Sequence, residues 1–367
     1  MRRLNALYLL ARESYGMIFG QQERQEIASL VEVIGPPLTR ENYASAADQL
    51  AQADILFSGW GAPTMDDAFL NLCPRLKAVF YASGAAPHVA TPMARERGII
   101  VTTAYAANAV PVAEYSFATI VFSLKHGWQL SKQMHSQRRF VPRDGAPGCF
   151  GRTVGLVSLG MIGRTLLKLL KSLDVHILAY DPFLSAEEAD VLGVERVSLD
   201  ELFRRSNVVS LHTPSLAETH GMITGCLLAS MPNGATFINT SRGEVVKEAE
   251  MIEVLTHRPD LQAVLDVIER EPADPTSKIF DLPNVVLTPH IAGSVGQECR
   301  RMGQFMIAEL KRYLAGEPLQ WVVTPELAAR STHRSWVTRP KPVASAVTVT
   351  VNPDVLTNNT SSQRLHV

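Results

Sequence analysis

The sequence predicts an α/β fold built from two doubly wound parallel sheets. Short apolar runs alternate with helical stretches through the first hundred residues, and a second, stronger alternation begins at Thr153. The runs are continuously apolar, as strands are when helices cover both faces of a parallel sheet. Repeated alternation of strand and helix is typical of an open parallel sheet, here one in each half of the chain.

The first series of elements follows from local patterns. Apolar runs predict strands at 4–10, 54–58, 75–81 and 98–101. The stretches between the first two strands predict helices at 21–32 and 41–53. Apolar residues then recur at helical spacing, which predicts a long helix from about Val112 to Lys132. A polar stretch with Gly and Pro, residues 136–152, is interpreted as the connection to the second series.

The second series repeats the pattern more clearly. Strands are predicted at 153–159, 176–180, 208–211, 236–238, 263–267 and 285–287. Helices are predicted at 161–172, 186–192, 198–205, 247–256 and 295–315. Residues 331–367 are rich in Ser, Thr, Val and Asn, so we expect residues 327–367 to form a poorly ordered tail.

Composition excludes several classes of function. Lys and Arg number 35 and Asp and Glu 36, a net charge of -1, which predicts no nucleic-acid partner and no membrane partner. No apolar run approaches the roughly 18 residues of a transmembrane helix. The four cysteines lie far apart and form neither a zinc pair nor a C-x-x-C motif. We expect buried, reduced thiols in a cytoplasmic protein that has no metal site.

A nucleotide-binding motif lies where the first strand of the second series meets its helix. The segment carries Ser158, Gly160 and Gly163 at the spacing of G-x-G-x-x-G, with serine at the first glycine position. Asp181 ends the next strand, 18 residues past Gly163. A carboxylate there accepts ribose hydroxyls of NAD and repels the 2′-phosphate of NADP. The alternatives are a turn that binds no nucleotide and the similar glycine loop of a methyltransferase.

Three later strands each deliver a charged or titratable residue beyond their carboxyl ends. Arg242, Glu271 and His290 follow the strands 236–238, 263–267 and 285–287. The alternative interpretation of each residue alone is structural: a solvated arginine, a glutamate in a turn and a histidine with satisfied hydrogen bonds. Ligands of open α/β sheets bind outside the carboxyl ends of the strands. Three such residues behind a nucleotide motif therefore indicate an active site.

These residue types suit the reduction of a 2-oxo acid. Arginine binds a carboxylate with two parallel hydrogen bonds and keeps its charge at every relevant pH. Histidine can donate a proton near neutral pH. A glutamate behind the histidine would fix its tautomer and favour its protonated form. The hydride would come from a nicotinamide, which the protein positions.

The sequence resembles the D-isomer-specific 2-hydroxyacid dehydrogenase family over roughly residues 50–325. The resemblance rests on the stretches GLVSLGMIGR, YDPF, HTPSLAETHGMI, INTSRGEVV, LDVIEREP and NVVLTPHIAGS. Glu271 lies 29 residues after Arg242, and His290 lies 19 residues after Glu271, close to the spacing in that family. The family's catalytic Arg, Glu and His fall on these three positions.

The resemblance also implies the residues that bind the cofactor and the substrate. NAD would be bound by Ser158, Gly160, Met161, Ile162, Gly163, Asp181, Thr213, Thr240, Ser241, Asp266 and Gly293. Asp266 would hold the nicotinamide amide. The loop with Ser83 and Gly84 would bind the substrate carboxylate through backbone N–H groups. His88, just after this loop, is expected on the surface, and Asn108 and Glu114 are expected to be structural.

The resemblance implies two Rossmann-like domains with the active-site cleft between them. Residues 1–118 plus 292–326 would bind substrate, and residues 119–291 would bind NAD. The expected activity is NAD-dependent oxidoreduction between a D-2-hydroxy acid and a 2-oxo acid, by a homodimer. The alternative is an NAD(H)-sensing binding protein of the C-terminal-binding-protein corepressor type, which resembles the same family.

Overall fold

The structure, a computed structural model, describes residues 3–143 and 145–332. One sheet has five parallel strands in the order β2-β1-β3-β4-β5. These strands are β1 (Asn5–Leu9), β2 (Glu32–Val33), β3 (Ile55–Ser58), β4 (Ala78–Tyr81) and β5 (Ile100–Thr103). Four of the five are almost entirely buried, because helices cover both faces.

The second sheet has seven parallel strands in the order β12-β11-β10-β9-β6-β7-β8. They are β6 (Arg152–Val157), β7 (Val175–Tyr180), β8 (Glu195–Arg196), β9 (Val208–Leu211), β10 (Thr236–Asn239), β11 (Gln262–Leu265) and β12 (Val285–Leu287). The chain order reverses between β6 and β9, and ligands of such sheets bind at that reversal. The predicted α/β fold with two parallel sheets is confirmed.

Fourteen helices connect the strands in the described part of the chain. In the first half they are α1 (Arg12–Ile18), α2 (Gln21–Leu30), α3 (Ala47–Leu50), α4 (Asp67–Leu72), α5 (Pro92–Glu96), α6 (Tyr105–Leu124) and α7 (Gly127–Gln137). In the second half they are α8 (Met161–Leu170), α9 (Ala186–Leu192), α10 (Leu199–Arg205), α11 (Gly225–Ala229), α12 (Glu248–His257), α13 (Cys299–Ala315) and α14 (Pro325–Ala329).

The long helix predicted at 112–132 is wrong at both ends. Helix α6 begins at Tyr105 and continues through Pro111, and it ends at Leu124. His126 has a left-handed backbone, with φ of 51°, so it separates α6 from α7. A Cβ on Gly127 would lie 2.4 Å from the ring of Phe122, so a larger residue here would require that ring to move.

Other differences from the predicted elements are local. Helix α1 and the two-residue strand β2 were not predicted. In place of a helix at 41–53, the chain forms a 3-10 turn at Tyr43–Ala46 followed by the four-residue α3. Short elements carry too few residues for a clear hydrophobic period, so the sequence does not mark them. The proposed domain boundaries stay a prediction.

Helix α13 returns to the first sheet and completes its core. Met302, Met306 and Leu310 are buried against strands β1, β3 and β4. An aromatic stack continues this contact, because Phe57 and Phe80 lie 5.5 Å apart and Tyr313 meets Phe80 edge-on at 6.0 Å. After α12 the chain therefore contributes strands β11 and β12 to the core of the second sheet and helix α13 to the core of the first sheet.

The buried carboxylate of Glu309 holds the chain that follows α13. It accepts hydrogen bonds from the N–H groups of Gln320 and Trp321, each at 3.0 Å, and from the Arg312 guanidinium at 2.6 Å. The next residues pair with the edge of the first sheet, where Thr102 bridges Val322 in antiparallel orientation. Glu309 thereby directs the C-terminal segment across the edge of that sheet.

We expect Glu309→Ala to lower the free energy of unfolding by about 3 kcal/mol, because it leaves a partly buried cation and two N–H groups without their acceptor. Urea unfolding followed by circular dichroism measures the change. Glu317→Ala, which removes an exposed carboxylate from the same segment, is the matched control and should have little effect. Equal free energies of unfolding for the two variants would contradict this role for Glu309.

Candidate active site

A histidine–glutamate pair lies at the carboxyl edge of the second sheet. His290 Nδ1 is 2.9 Å from a carboxylate oxygen of Glu271, and the two side chains are only 20% and 15% exposed. Glu271 also accepts a hydrogen bond from the N–H of Ile268, at 3.4 Å. A carboxylate at Nδ1 fixes the tautomer of the ring, so Nε2 is the nitrogen suited to exchange a proton with a ligand.

Asp266 holds the loop that carries His290. Its carboxylate accepts hydrogen bonds from the N–H groups of Ile291 and Ala292, both at 2.8 Å, and from the Thr288 hydroxyl at 2.6 Å. Its backbone carbonyl accepts from the N–H of His290 at 3.0 Å. His290 itself has a left-handed backbone, with φ of 57°, which is strained for a residue with a side chain. Four contacts to one aspartate therefore stabilise this strained position.

Arg242 follows β10 in a loop that packs directly on the loop after β11. A Cβ on Gly243 would lie 1.9 Å from the backbone of Ile268, so only glycine allows this approach. Asn239 braces the turn, because its amide nitrogen donates to the carbonyl of Arg242 at 3.0 Å and its oxygen accepts from the N–H of Ser241 at 2.9 Å. The arginine and glutamate loops are thus held side by side.

The nucleotide motif forms a tight turn at the start of α8. Ser158 has φ of 76°, in the left-handed region that favours glycine, so the turn demands a glycine-like backbone although it carries serine. The Ser158 hydroxyl and the Thr213 hydroxyl are 2.8 Å apart, which ties the ends of β6 and β9 together. A Cβ on Gly163 would lie 2.3 Å from the carbonyl oxygen of Ser158, so this glycine permits the tight start of α8.

These residues fit a dinucleotide. A Cβ on Gly160 would meet nothing within 4 Å, so open space lies in front of the N-terminus of α8, where phosphates bind. Asp181 is fixed beside this turn, because its two carboxylate oxygens accept from the N–H groups of Leu159 and Phe183, both at 2.8 Å. Asp181 would hold the adenosine ribose, and the turn would hold the pyrophosphate.

Asn108 lies between the loop with Ser83 and Gly84 and the loop that carries His290. The N–H of Ser83 already donates to Tyr81, at 2.8 Å, so it is not available for a substrate. The N–H groups of Gly84 and Ala85 find no backbone acceptor in the described ranges. Asn108 accepts from the N–H of Ser294 at 2.9 Å and would lie 3.9 Å from a Cβ on Gly84. Asn108 therefore lies between the substrate loop and the histidine loop, which the sequence did not indicate.

Two buried histidines lie near the predicted sites. His88, expected on the surface, is only 8% exposed, and its ring meets Tyr81 edge-on. Burial, with the nearby Arg40 guanidinium, lowers the pKa of His88 to about 4. His212, at the end of β9, is 2.9 Å from the hydroxyl of Ser210, and burial lowers its pKa to about 4. Both rings are therefore neutral at pH 7.

The first residues of the predicted tail contact the second sheet. The Arg330 guanidinium lies 4.5 Å from the ring centre of Phe183, and the N–H of Ser215 donates to the buried Thr332 hydroxyl at 3.3 Å. Residues 327–332 thus make specific contacts, residues 333–367 lie outside the described residues, and the order of the tail stays a prediction. The sequence missed this contact because a Ser- and Thr-rich composition does not reveal which surface a segment meets.

The structure also bears on the expectations about metal sites, cysteines and membrane-spanning helices. Among the residues that the structure describes, no cluster of three His, Cys, Asp or Glu could hold a metal ion. All four cysteines are free, but Cys226 is exposed and Cys149 is half-buried, so the expectation of buried thiols is correct only for Cys73 and Cys299. Each helix in residues 3–143 and 145–332 is too short or too polar to cross a bilayer.

Two curated relatives share one name. The chain is 31% identical over 267 residues to a D-3-phosphoglycerate dehydrogenase of Archaeoglobus fulgidus, covering 70% of this chain and 49% of that protein. It is 33% identical over 258 residues to the enzyme of the same name from Mycobacterium tuberculosis, covering 70% and 48%. The chain thus spans about half the length of the curated relatives it matches.

Solved structures share the fold. The TT0316 protein of Thermus thermophilus has a TM-score of 0.69 and 26% identity, covering 88% of this chain and 100% of that one. The D-mandelate dehydrogenase of Rhodotorula graminis has a TM-score of 0.73 and 23% identity, covering 88% and 98%. Residues 117–292 match the family model described as D-isomer specific 2-hydroxyacid dehydrogenase, NAD binding domain. Residues 117–292 therefore belong to the NAD-binding domain of the D-isomer-specific 2-hydroxyacid dehydrogenase family.

Proposed function

We propose that the chain is an NAD-dependent D-2-hydroxyacid dehydrogenase that interconverts a 2-oxo acid and a D-2-hydroxy acid. The observation that carries this proposal is the His290–Glu271 pair, 2.9 Å apart, in which Asp266 holds the loop of His290 beside the nucleotide-binding edge. The relatives' names support the same class of reaction. The homodimer and the cytoplasmic location stay predictions, and light scattering of the purified protein would test the first.

The residues divide the chemistry between them. Arg242 would bind the substrate carboxylate through its planar guanidinium, and the N–H of Gly84 would bind the same group from the opposite loop. When bound, NAD(H) accepts or supplies the hydride. His290 would donate a proton from Nε2 to the carbonyl oxygen during reduction, and it would accept that proton during oxidation. Glu271 would stabilise the charged imidazolium and hold the ring in place.

We infer that Asp266 has a further part beside the one that the resemblance implies. Both of its carboxylate oxygens already accept hydrogen bonds from the loop at 288–292. We therefore propose that Asp266 acts first as a positioning residue for His290, and that a contact with the nicotinamide amide would be added to this role. The hydroxyl of Tyr115, on α6, is 2.9 Å from that of Thr288 and extends the same network.

The direct test is oxidation of NADH with glyoxylate, hydroxypyruvate, pyruvate, phenylpyruvate and branched 2-oxo acids, followed at the nicotinamide absorbance. We expect turnover with at least one acid, a D-configured product, and much slower turnover with NADPH because Asp181 repels its 2′-phosphate. If NADH binds but no acid is reduced, the result would favour the alternative proposal, an NAD(H)-sensing binding protein of the corepressor type.

We expect His290→Ala to lower kcat by about 10²–10⁴-fold with little change in the dissociation constant of NADH, because the variant loses proton transfer alone. Steady-state kinetics and NADH fluorescence titration measure the two quantities. His257→Ala removes an exposed histidine on α12 and is the control. Full activity of His290→Ala would exclude His290 as the proton donor.

We expect the free energy of unfolding of Ser158→Gly to exceed that of Ser158→Ala by about 1 kcal/mol. Urea unfolding of the two variants measures the difference. Both variants lose the hydrogen bond to Thr213, but only alanine must keep a side chain at φ of 76°. The comparison therefore isolates the backbone strain. Equal stability of the two variants would mean that the turn does not impose this conformation in solution.

A further inference from the structure

A second polar cavity lies at the opposite edge of the nucleotide-binding sheet. Its volume is about 310 Å³, at the lower end of the range for small-molecule sites. The amino-terminal ends of β6, β9 and β10 line it, through Arg152, Asn207 and Gly234, together with the end of α6. The nucleotide motif and the His290 loop lie at the carboxyl ends of these strands. The cavity is thus separate from the proposed active site.

Two buried donors in this cavity lack a partner. Nε of Arg152 is buried and makes no hydrogen bond, and neither does the hydroxyl of Ser123, a residue only 1% exposed. No residue that lines the cavity within the described ranges is acidic. A buried guanidinium nitrogen without an acceptor is unfavourable for folding, so the unpartnered Nε of the half-buried Arg152 needs another explanation.

The two asparagines of the lining add further donors. The oxygen of Asn207 accepts from the N–H of Thr153 at 3.0 Å, and that of Asn233 accepts from the Arg258 guanidinium at 3.2 Å. Within the described ranges neither amide nitrogen makes a hydrogen bond, so each can donate to a ligand. His126 completes the lining, and its ring lies 3.5 Å from where a Cβ on Gly234 would be.

We propose that this cavity binds a small oxyanion, the phosphate or carboxylate group of a compact metabolite. Arg152 would supply the charge, and Ser123, Asn207 and Asn233 would supply neutral hydrogen bonds. The described residues of the lining offer donors and no carboxylate, and the nearby Asp260 carboxylate is paired with Arg258, so the cavity is complementary to an anion and not to a cation or an apolar ligand. The site needs no turnover and no bound cofactor, so its test is independent of the proposed dehydrogenase activity.

The test is isothermal titration of the ligand-free protein with inorganic phosphate and, separately, with acetate, which distinguishes the two anion types. We expect wild type to bind at least one of them, and Arg152→Gln to bind it about tenfold or more weakly. Arg139→Gln removes the same charge from an exposed position of the 136–152 connection and should bind like wild type.

Ser123→Ala provides a second variant that removes a single oxygen, and we expect it to weaken binding by about twofold to tenfold. Stability supplies a further readout. Without anion, Arg152→Gln should unfold at the same urea concentration as wild type or a higher one, because it removes an unpartnered buried donor. An arginine with a purely structural role would instead make the variant less stable.

Three results would overturn the proposal. The first is no binding of either anion by wild type. The second is equal binding by wild type and by both Arg152→Gln and Ser123→Ala. The third is binding that NADH abolishes and Arg152→Gln leaves unchanged, which would place the anion at the turn in front of α8.

Discussion

The carboxylate of Asp266 is the constraint on which the geometry of the site depends. It accepts three hydrogen bonds from residues 288–292, and its own carbonyl accepts a fourth. A histidine with a left-handed backbone is unfavourable by itself and persists only where its surroundings hold it. With His290 held in this way, its ring meets Glu271 at hydrogen-bond distance, although these two residues lie on different loops.

Helix α6 connects this loop to the rest of the molecule. Asn108, near its start, binds the N–H of Ser294, and further along Tyr115 and Ser116 meet the hydroxyls of Thr288 and Thr240. One rigid element thus contacts the substrate loop, the histidine loop and the end of β10. A change in its position would move all three together, which is a physical basis for coupling substrate binding to the histidine.

Much of the site was predictable because its residues follow strand ends in a fixed order. Arg242, Glu271 and His290 were identified from their spacing and from the rule that ligands bind outside the carboxyl ends of parallel strands. Asn108 and Thr332 were not, because each acts on a segment more than 100 residues away in the chain. His88 was assigned to the surface because its burial depends on the packing of Tyr81, which no local pattern reveals.

The sequence alone determined the fold class, the positions of most strands along the chain and the types of the three residues at the strand ends, because apolar periodicity and residue type are local properties. The tertiary structure alone decided that Ser158 takes a glycine-like backbone, that Asp266 holds the histidine loop, and that Arg152 lines a polar cavity at the opposite edge of the sheet. Each of these depends on groups that are distant in the chain and meet only when the strands are placed side by side.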